Sequence, residues 1–287
     1  MQRVRRLEIR AKHLVTESFA GEYQSSFKGQ GLDFDEFREY QPGDEIRFID
    51  WNVTARMGAP FIRKFREERE LSMILAIDVS ASTLYGSGAL SKRELIAELA
   101  AVLGFSARDN GDKVGLLLFA GEPVLYLPPA KGTRQILRSV REILTANPEQ
   151  KHTSLSAACD FINHTIRRKA LVFLISDFTD TDLGKPLRTL ASKHETIALR
   201  VQDPVEKRLP NVGKVILRDV ETGTESIVNT NNSNVRMAYR NLNKRHSEGL
   251  QRFFRRCNID YATFPTAEDY LPGLHRLLKK HALRKNR

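Results

Sequence analysis

From residue 71 onward, two rhythms of hydrophobic positions alternate along the chain. Short apolar runs are separated by longer stretches in which apolar residues return every three or four positions. The runs predict strands and the stretches predict helices. "LSMILAID", "DKVGLLLFA", "ALVFLISDF" and "ETIALRVQD" read as strands, the first and third of them apolar enough to be buried on both faces. "SKRELIAELAAVLGFSARDN", "KGTRQILRSVREILTAN", "TSLSAACDFINHTIRRK" and a segment around 182–193 have helical spacing. In the second of these, Ile136, Leu137, Val140, Ile143 and Leu144 form one stripe. "VLYLPP" follows "DKVGLLLFA" after the turn "GEP", too soon for a helical crossover, so the two predict a hairpin. "GKVILRD" and "TESIVNT" flank "VETG" and predict a surface hairpin inserted at about 212–230. A long basic helix from about Asn234 to Cys257, a strand "IDYATFP" and a closing helix from about Ala267 to Leu283 complete the pattern. The expected class is α/β, a doubly wound, mostly parallel sheet of Rossmann type with right-handed crossovers.

Residues 1–70 follow neither rhythm for long. Val4, Leu7, Ala11, Leu14 and Val15 suit one face of a short amphipathic helix. A turn-rich, charge-dense stretch follows, punctuated by Gly29, Gly31, Pro42, Gly43, Gly58 and Pro60. It predicts an extended arm with short strands, so the chain divides into 1–70 and 71–287. Trp51, the single tryptophan, is expected to anchor the arm. Glu36, Arg38, Asp44, Arg47, Asp50 and Arg56 suit a salt-bridge lattice, with a partner-binding surface as the alternative.

Composition narrows the class. The chain has 287 residues, 41% hydrophobic and 28% charged, which is ordinary for a globular protein. No apolar run approaches the roughly 18 to 20 residues of a membrane span, and the start lacks a signal-peptide core, so a cytoplasmic protein is expected. Cys159 and Cys257 lie far apart without metal spacing and read as buried thiols. The net charge of +11 is uneven: residues 235–287 carry +9, residues 1–12 carry +4, and the middle is slightly acidic. With no aromatic residues interleaved in a nucleic-acid motif, solvated basic faces are expected rather than nucleic-acid contact.

Candidate chemistry sits at the ends of two strands. Asp78, Ser80 and Ser82 follow the first greasy run in the pattern D-x-S-x-S, and Asp177 ends the second. Thr153 begins the helix leading into that second strand. In an open parallel sheet, ligands bind beyond the carboxyl ends of the strands, so these five oxygen side chains are expected on one rim. Carboxylates and hydroxyls without nitrogen or sulfur suit a hard cation, Mg²⁺, Mn²⁺ or Ca²⁺. His152 is expected to be neutral and exposed rather than a ligand.

This constellation resembles the metal-ion-dependent adhesion site of von Willebrand factor A domains. The resemblance implies that Asp78, Ser80, Ser82, Thr153 and Asp177 hold Mg²⁺ or a similar ion, with a partner's carboxylate completing the shell. Residues 21–70 sharpen the match. F-x-G-x-G, F-x-E-x-R-x-Y-x-P-G-D, R-x-I-D-W and the A-R before F-I-R-K resemble the signature of an uncharacterised bacterial family called domain of unknown function 58. "RVQDPVEKRLP" and "DVETGTESIV" resemble its later segments. That resemblance implies a partner or adaptor of a MoxR-type AAA+ ATPase in protein assembly, maturation or stress response.

The residues favour binding over catalysis. No G-x-S-x-G elbow surrounds Ser80 or Ser82, no Walker A motif occurs, and "GSGALSK" has the wrong spacing for a phosphate loop. The alternatives kept open are a metal-dependent hydrolase and a basic nucleic-acid-binding protein.

Overall fold

A computed structural model describes residue 23 and residues 31–68, 71–149, 152–180, 184–218 and 223–285. The helix expected within residues 4–15 lies outside them. The described residues of Phe27–Leu71 form one unit, and those of Ser72–Arg287 with Tyr23 form another.

In the smaller unit, β1 (Gly31–Glu39) pairs antiparallel with β2 (Phe61–Glu68), with one irregularity between Phe34 and Glu36. Between them lie a 3₁₀ turn at Ile46–Phe48 and a helix, α1 (Trp51–Met57). Short strands are expected in this stretch, but α1 is not. Asp50 is the overlooked signal: its Oδ1 accepts from the backbone N–H of Asn52 at 3.0 Å and of Val53 at 3.2 Å, capping α1. Gly58, at φ 73°, ends it in the left-handed conformation. Trp51 opens the helix and is 66% exposed, so it is not an anchor within this unit. Of the expected charge lattice Arg38 meets Asp44 at 2.6 Å, while Asp50 pairs with a residue outside it, Arg63, Nε to Oδ2 at 2.6 Å.

The larger unit is mixed α/β. Its sheet contains β3 (Ser72–Asp78), β4 (Lys113–Phe119), β5 (Pro123–Ala130), β6 (Leu171–Ser176), β7 (Glu195–Gln202) and β10 (Asp260–Pro265). The order is β10-β7-β6-β3-β4-β5, all parallel except β5, which pairs antiparallel with β4 as the short "GEP" turn requires. A separate antiparallel hairpin, β8 (Lys214–Arg218) with β9 (Glu225–Asn229), lies within the predicted insertion.

Helices α2 (Lys92–Asp109), α3 (Thr133–Thr145), α4 (Leu155–Thr165), α5 (Lys185–Lys193), α6 (Pro204–Lys207), α7 (Ser233–Arg256) and α8 (Leu271–Lys285) flank the sheet. Alternate strand residues serve opposite faces. Ile74, Ala76, Leu117, Val172 and Leu174 pack with Leu155, Ile162, Leu190 and Phe254 in one core cluster. Helix α2 is buried along most of its length, Leu95 to Ala107, which explains its nearly unbroken apolar composition. At Gly104 an added Cβ would stand 3.1 Å from Ile136 Cγ2, so the glycine lets α3 approach closely. Helix α7 differs: of its 24 residues only Leu250 and Phe254 are buried, both in the second half.

Register places the functional end. Ile77 lies opposite Ile175 on β6, and Asp78 opposite Phe119 on β4. The carboxyl ends of β3 and β6 therefore finish level, with Asp78 beside Ser176 and Asp177 one step beyond.

Candidate functional site

The five oxygen residues named from the sequence come together at this rim. Asp78 is fully buried, and Ser80, Ser82, Thr153 and Asp177 are each at most 9% exposed. Asp78 Oδ1 accepts from the Ser80 backbone N–H at 2.9 Å, and its Oδ2 from Thr153 Oγ1 at 3.4 Å. Ser80 Oγ and Ser82 Oγ are 3.1 Å apart, and Ser82 Oγ donates to Asp177 Oδ2 at 2.7 Å. His152 is exposed.

The local chain explains the convergence. After β3, Val79 remains buried and its N–H bonds to Phe119 O at 2.8 Å, which ties the chain to β4 just past Asp78. A 3₁₀ turn at Ala81–Leu84 then brings Ser82 back towards Ser80. Arg93, 2% exposed, clamps this loop from beneath. Its Nη2 donates to Val79 O at 2.6 Å and Ser80 O at 3.2 Å, its Nε to Thr83 Oγ1 at 2.8 Å, and its Nη1 to Ala146 O at 3.0 Å. Burial pushes the guanidinium down to about 10, with Asp78 opposing, so it stays charged at neutral pH.

The helix expected to begin at Thr153 begins at Leu155, with Ser154 as its cap. The Ser154 side chain accepts from the Ala157 N–H, and Asp180 accepts from the Leu155 N–H at 3.0 Å. Thr153, one residue earlier, is thereby freed to face Asp78. On the other side, Phe178 sits at φ 52°, an uncommon conformation for a side chain of its size. It is held there by its N–H to Ser176 Oγ at 2.9 Å, by His246 Nε2 donating to its carbonyl at 2.8 Å, and by a buried ring against Phe254. Arg200 Nε donates to Asp177 O at 3.0 Å. The bend turns the Asp177 side chain onto the rim.

Two participants escaped the sequence reading. Ser176 Oγ donates to Asp78 Oδ2 at 2.6 Å. Its signal was present, a hydroxyl beside Asp177 in "LISDF". Lys92 had none, since a lysine opening a helix usually reaches solvent. Here it is 0% exposed, and its ammonium bonds to Asp177 Oδ2 at 2.7 Å and to Glu206 Oε1 at 2.5 Å. A cation at a helix N-terminus opposes the helix dipole, so the two carboxylates must compensate it.

Electrostatically the two aspartates diverge. Burial, reinforced by the Asp177 charge, pushes Asp78 up to about 6 against its bonds from Ser176 and Ser80. Asp177 feels the same burial, but the Lys92 ammonium and the bonds from Lys92, Ser82 and Thr179 outweigh it and hold this carboxyl below its usual range. Among the described residues, Asp78 makes no ion pair, and the nearby Arg93 guanidinium is bound to backbone carbonyls and Thr83 instead.

The donor set fits a hard divalent ion. The 3.1 Å separation of Ser80 Oγ and Ser82 Oγ is compatible with adjacent ligands in an octahedral Mg²⁺ shell, which are about 3 Å apart for bonds of about 2.1 Å. Among the described residues, no three His, Cys, Asp or Glu side chains converge as a metal cluster, so a cation here would rest largely on hydroxyls. Asp78, Ser80, Ser82 and Thr153 are suited to direct contact, and Asp177, already paired with Lys92, to contact through water.

Comparison with known proteins places the chain by sequence. Residues 36–249 match the family model described as "Protein of unknown function DUF58". An uncharacterized protein of Mycobacterium bovis and one of Mycobacterium tuberculosis are each 31% identical over 278 residues, covering 96% of this chain and 87% of theirs. Among solved structures, a conserved hypothetical protein BatB from Bacteroides thetaiotaomicron covers 74% of this chain and 99% of its own at 18% identity and a TM-score of 0.46. An aerotolerance-related membrane protein from Bacteroides fragilis covers 75% and 99% at 17% identity and a TM-score of 0.47. Both structures are too distant to carry fold or function across. Among the described residues, no helix is long and apolar enough to cross a membrane. By the family match over three-quarters of its length and the mycobacterial relatives, the chain belongs to the DUF58 family.

Proposed function

We propose that this protein is a metal-dependent protein-interaction module with a von Willebrand A-like domain, acting as partner or adaptor of a MoxR-type AAA+ ATPase. The observation that carries the reading is the meeting of Asp78, Ser80, Ser82, Thr153 and Asp177 at the carboxyl ends of β3 and β6. The mostly parallel sheet with an antiparallel edge strand supports the domain assignment.

A bound divalent cation would supply an electrophilic seat for an oxygen ligand. The chain's own residues decide what kind of oxygen. Ser80, Ser82 and Thr153 contribute no charge when they act as neutral hydroxyls. Asp78, Asp177 and Glu206 carry three negative charges against the Lys92 and Arg93 cations, which leaves about one to offset the ion. The balance is short by about one negative charge, and a Glu or Asp of a partner protein would correct it. Arg93 keeps the hydroxyl loop rigid, so the partner's carboxylate would meet a preformed seat.

Calorimetry with Mg²⁺ tests the site, and co-purification with and without EDTA tests the partner. Wild type should bind Mg²⁺, Asp78→Ala should not, and circular dichroism of the two should coincide. Equal heats from both proteins would remove the metal assignment. Recovery of a MoxR-type ATPase with Mg²⁺, and its loss in EDTA, is the expected result for the partner.

A further inference from the structure

A second concavity opens along the same edge of the sheet, beyond the carboxyl ends of β7 and β10, with a volume of about 610 Å³. Its basic lining comes from two elements: Lys207 and Arg208 in and just after α6, and Arg240 and Lys244 on α7. All four are exposed. Among the described residues, no carboxylate pairs with Lys207, Arg208 or Arg240, and Lys244 has only Glu248 at 3.9 Å.

The short segment "DPVEKR" sorts its charges. Asp203 is fully buried and accepts from Ser87 N at 2.8 Å, Ser87 Oγ at 2.6 Å and Thr266 Oγ1 at 3.0 Å. Glu206 caps α6 through the Asp203 N–H at 3.0 Å and pairs with Lys92. Both acids are therefore consumed by the fold, while Lys207 and Arg208 face the cleft without an acid. Glu268 is the remaining acid in the lining. The half of α7 that brings Arg240 and Lys244 has no buried residue, so packing does not demand its register of cations. Arg208 and Arg240 also border an adjoining hollow of about 460 Å³ with Leu209, Pro210 and Met237.

We infer that this cleft is a binding site for an acidic peptide segment of a partner protein, with Arg208 and Arg240 taking carboxylates and the adjoining hollow taking one apolar side chain. Guanidinium groups pair with carboxylates bidentately, and methionine adapts its shape to an apolar guest. Among the described residues no aromatic ring lines either hollow, so a nucleobase would find no stacking surface there, which argues against nucleotides and nucleic acid. The inference needs no cation at the Asp78 site and stands apart from the metal reading.

The test uses the full chain in EDTA and a fluorescein-labelled peptide of alternating Glu and Asp with one Leu, read by anisotropy. Arg240→Glu/Lys244→Glu should weaken binding at least about tenfold. Arg208→Glu, on a different element, should weaken it in the same direction, and thermal midpoints should confirm that each variant is folded. The control is Arg134→Glu/Arg138→Glu, which reverses the same charge on the exposed face of α3 and should change binding less than about twofold. Absence of peptide binding by wild type would overturn the inference, as would equal weakening by both double variants, which would reduce it to overall charge. Tighter binding of ATP or a single-stranded oligonucleotide, lost with the same α7 variant, would overturn the assigned ligand class.

Discussion

Lys92 shows how one side chain sets the character of a site. Its ammonium, withdrawn from water, is matched by Asp177 at 2.7 Å and by Glu206. Removing one partner of a buried pair strands the other, at a typical cost of about 3–5 kcal/mol. Lys92→Met keeps the aliphatic stem and deletes the charge, so it should lower the thermal midpoint by several degrees. It also returns to Asp177 an uncompensated charge beside Ser82. Added Mg²⁺ should then raise the midpoint of Lys92→Met more than that of wild type, as scanning fluorimetry would show. An equal Mg²⁺ response in both would mean that Asp177 does not sense a cation at the site. Nothing in "LSKREL" distinguishes this lysine from a solvated one. Its partners are 85 and 114 residues away, and long-range pairing of this kind leaves no local mark. Asp78, Ser80 and Ser82 were legible because the alternation of oxygen side chains after an apolar run is itself local.

Elements were legible where burial is uniform. The apolar runs that became β3, β4 and β6 need no tertiary knowledge, since parallel strands covered on both faces are nearly continuous apolar runs, whereas β7 also buries Thr196, Arg200 and Gln202. Helix α1 was missed because its marker is a single cap, Asp50, in a stretch dense with turn residues and charge. Trp51 was misjudged for a related reason: aromatic content alone does not say which face of a seven-residue helix is covered. A different pairing, equally invisible in sequence, fastens α8. His281 is 2% exposed and lies 2.7 Å from Asp260 at the start of β10 and 2.6 Å from Glu195 at the start of β7. Burial lowers its affinity for a proton, but the bonds to Asp260 and Glu195 outweigh this and raise its pKa above the usual 6.5. The folded state thus binds the proton more tightly than the unfolded chain does. Its contribution is fully present below about pH 6.5 and is lost as pH rises through the raised value. Asp260 keeps Arg284 at 3.1 Å when the imidazole is neutral, so α8 should loosen rather than detach. Wild type should lose thermal stability from pH 6 to pH 9 by more than His281→Gln does. Parallel pH profiles would exclude the imidazolium as the fastener.

Across the whole molecule, charge and topology converge on one edge of the sheet. Residues 235–287 carry a balance of +9, yet their cations are not equivalent. Arg284 bonds to Asn258 O and Asp260, and Arg236 to Thr230 O, so they serve the fold, whereas Arg240 and Lys244 line the cleft. Parallel strands place all their carboxyl ends together, so the Asp78 site at β3 and β6 and the basic cleft at β7 and β10 open along the same edge. The chain Asp177–Lys92–Glu206–Asp203 runs between them through direct hydrogen bonds. A partner bearing several acids could then engage both, one carboxylate at the cation and others at Arg208 and Arg240. Asp78, Arg240 and Lys244 share no hydrogen-bond partner, so losses at these three positions are expected to add unless the connecting chain couples the sites. If Asp78→Ala and Arg240→Glu/Lys244→Glu each weaken association with a MoxR-type ATPase about tenfold, each loss is about 1.4 kcal/mol, and the combined variant should be weakened about a hundredfold. Salt separates them further. Raising ionic strength should erode the exposed cleft contribution and spare most of the metal contribution, which EDTA alone removes. A combined variant no weaker than either parent would show that the two losses do not add and that the sites act as one coupled unit.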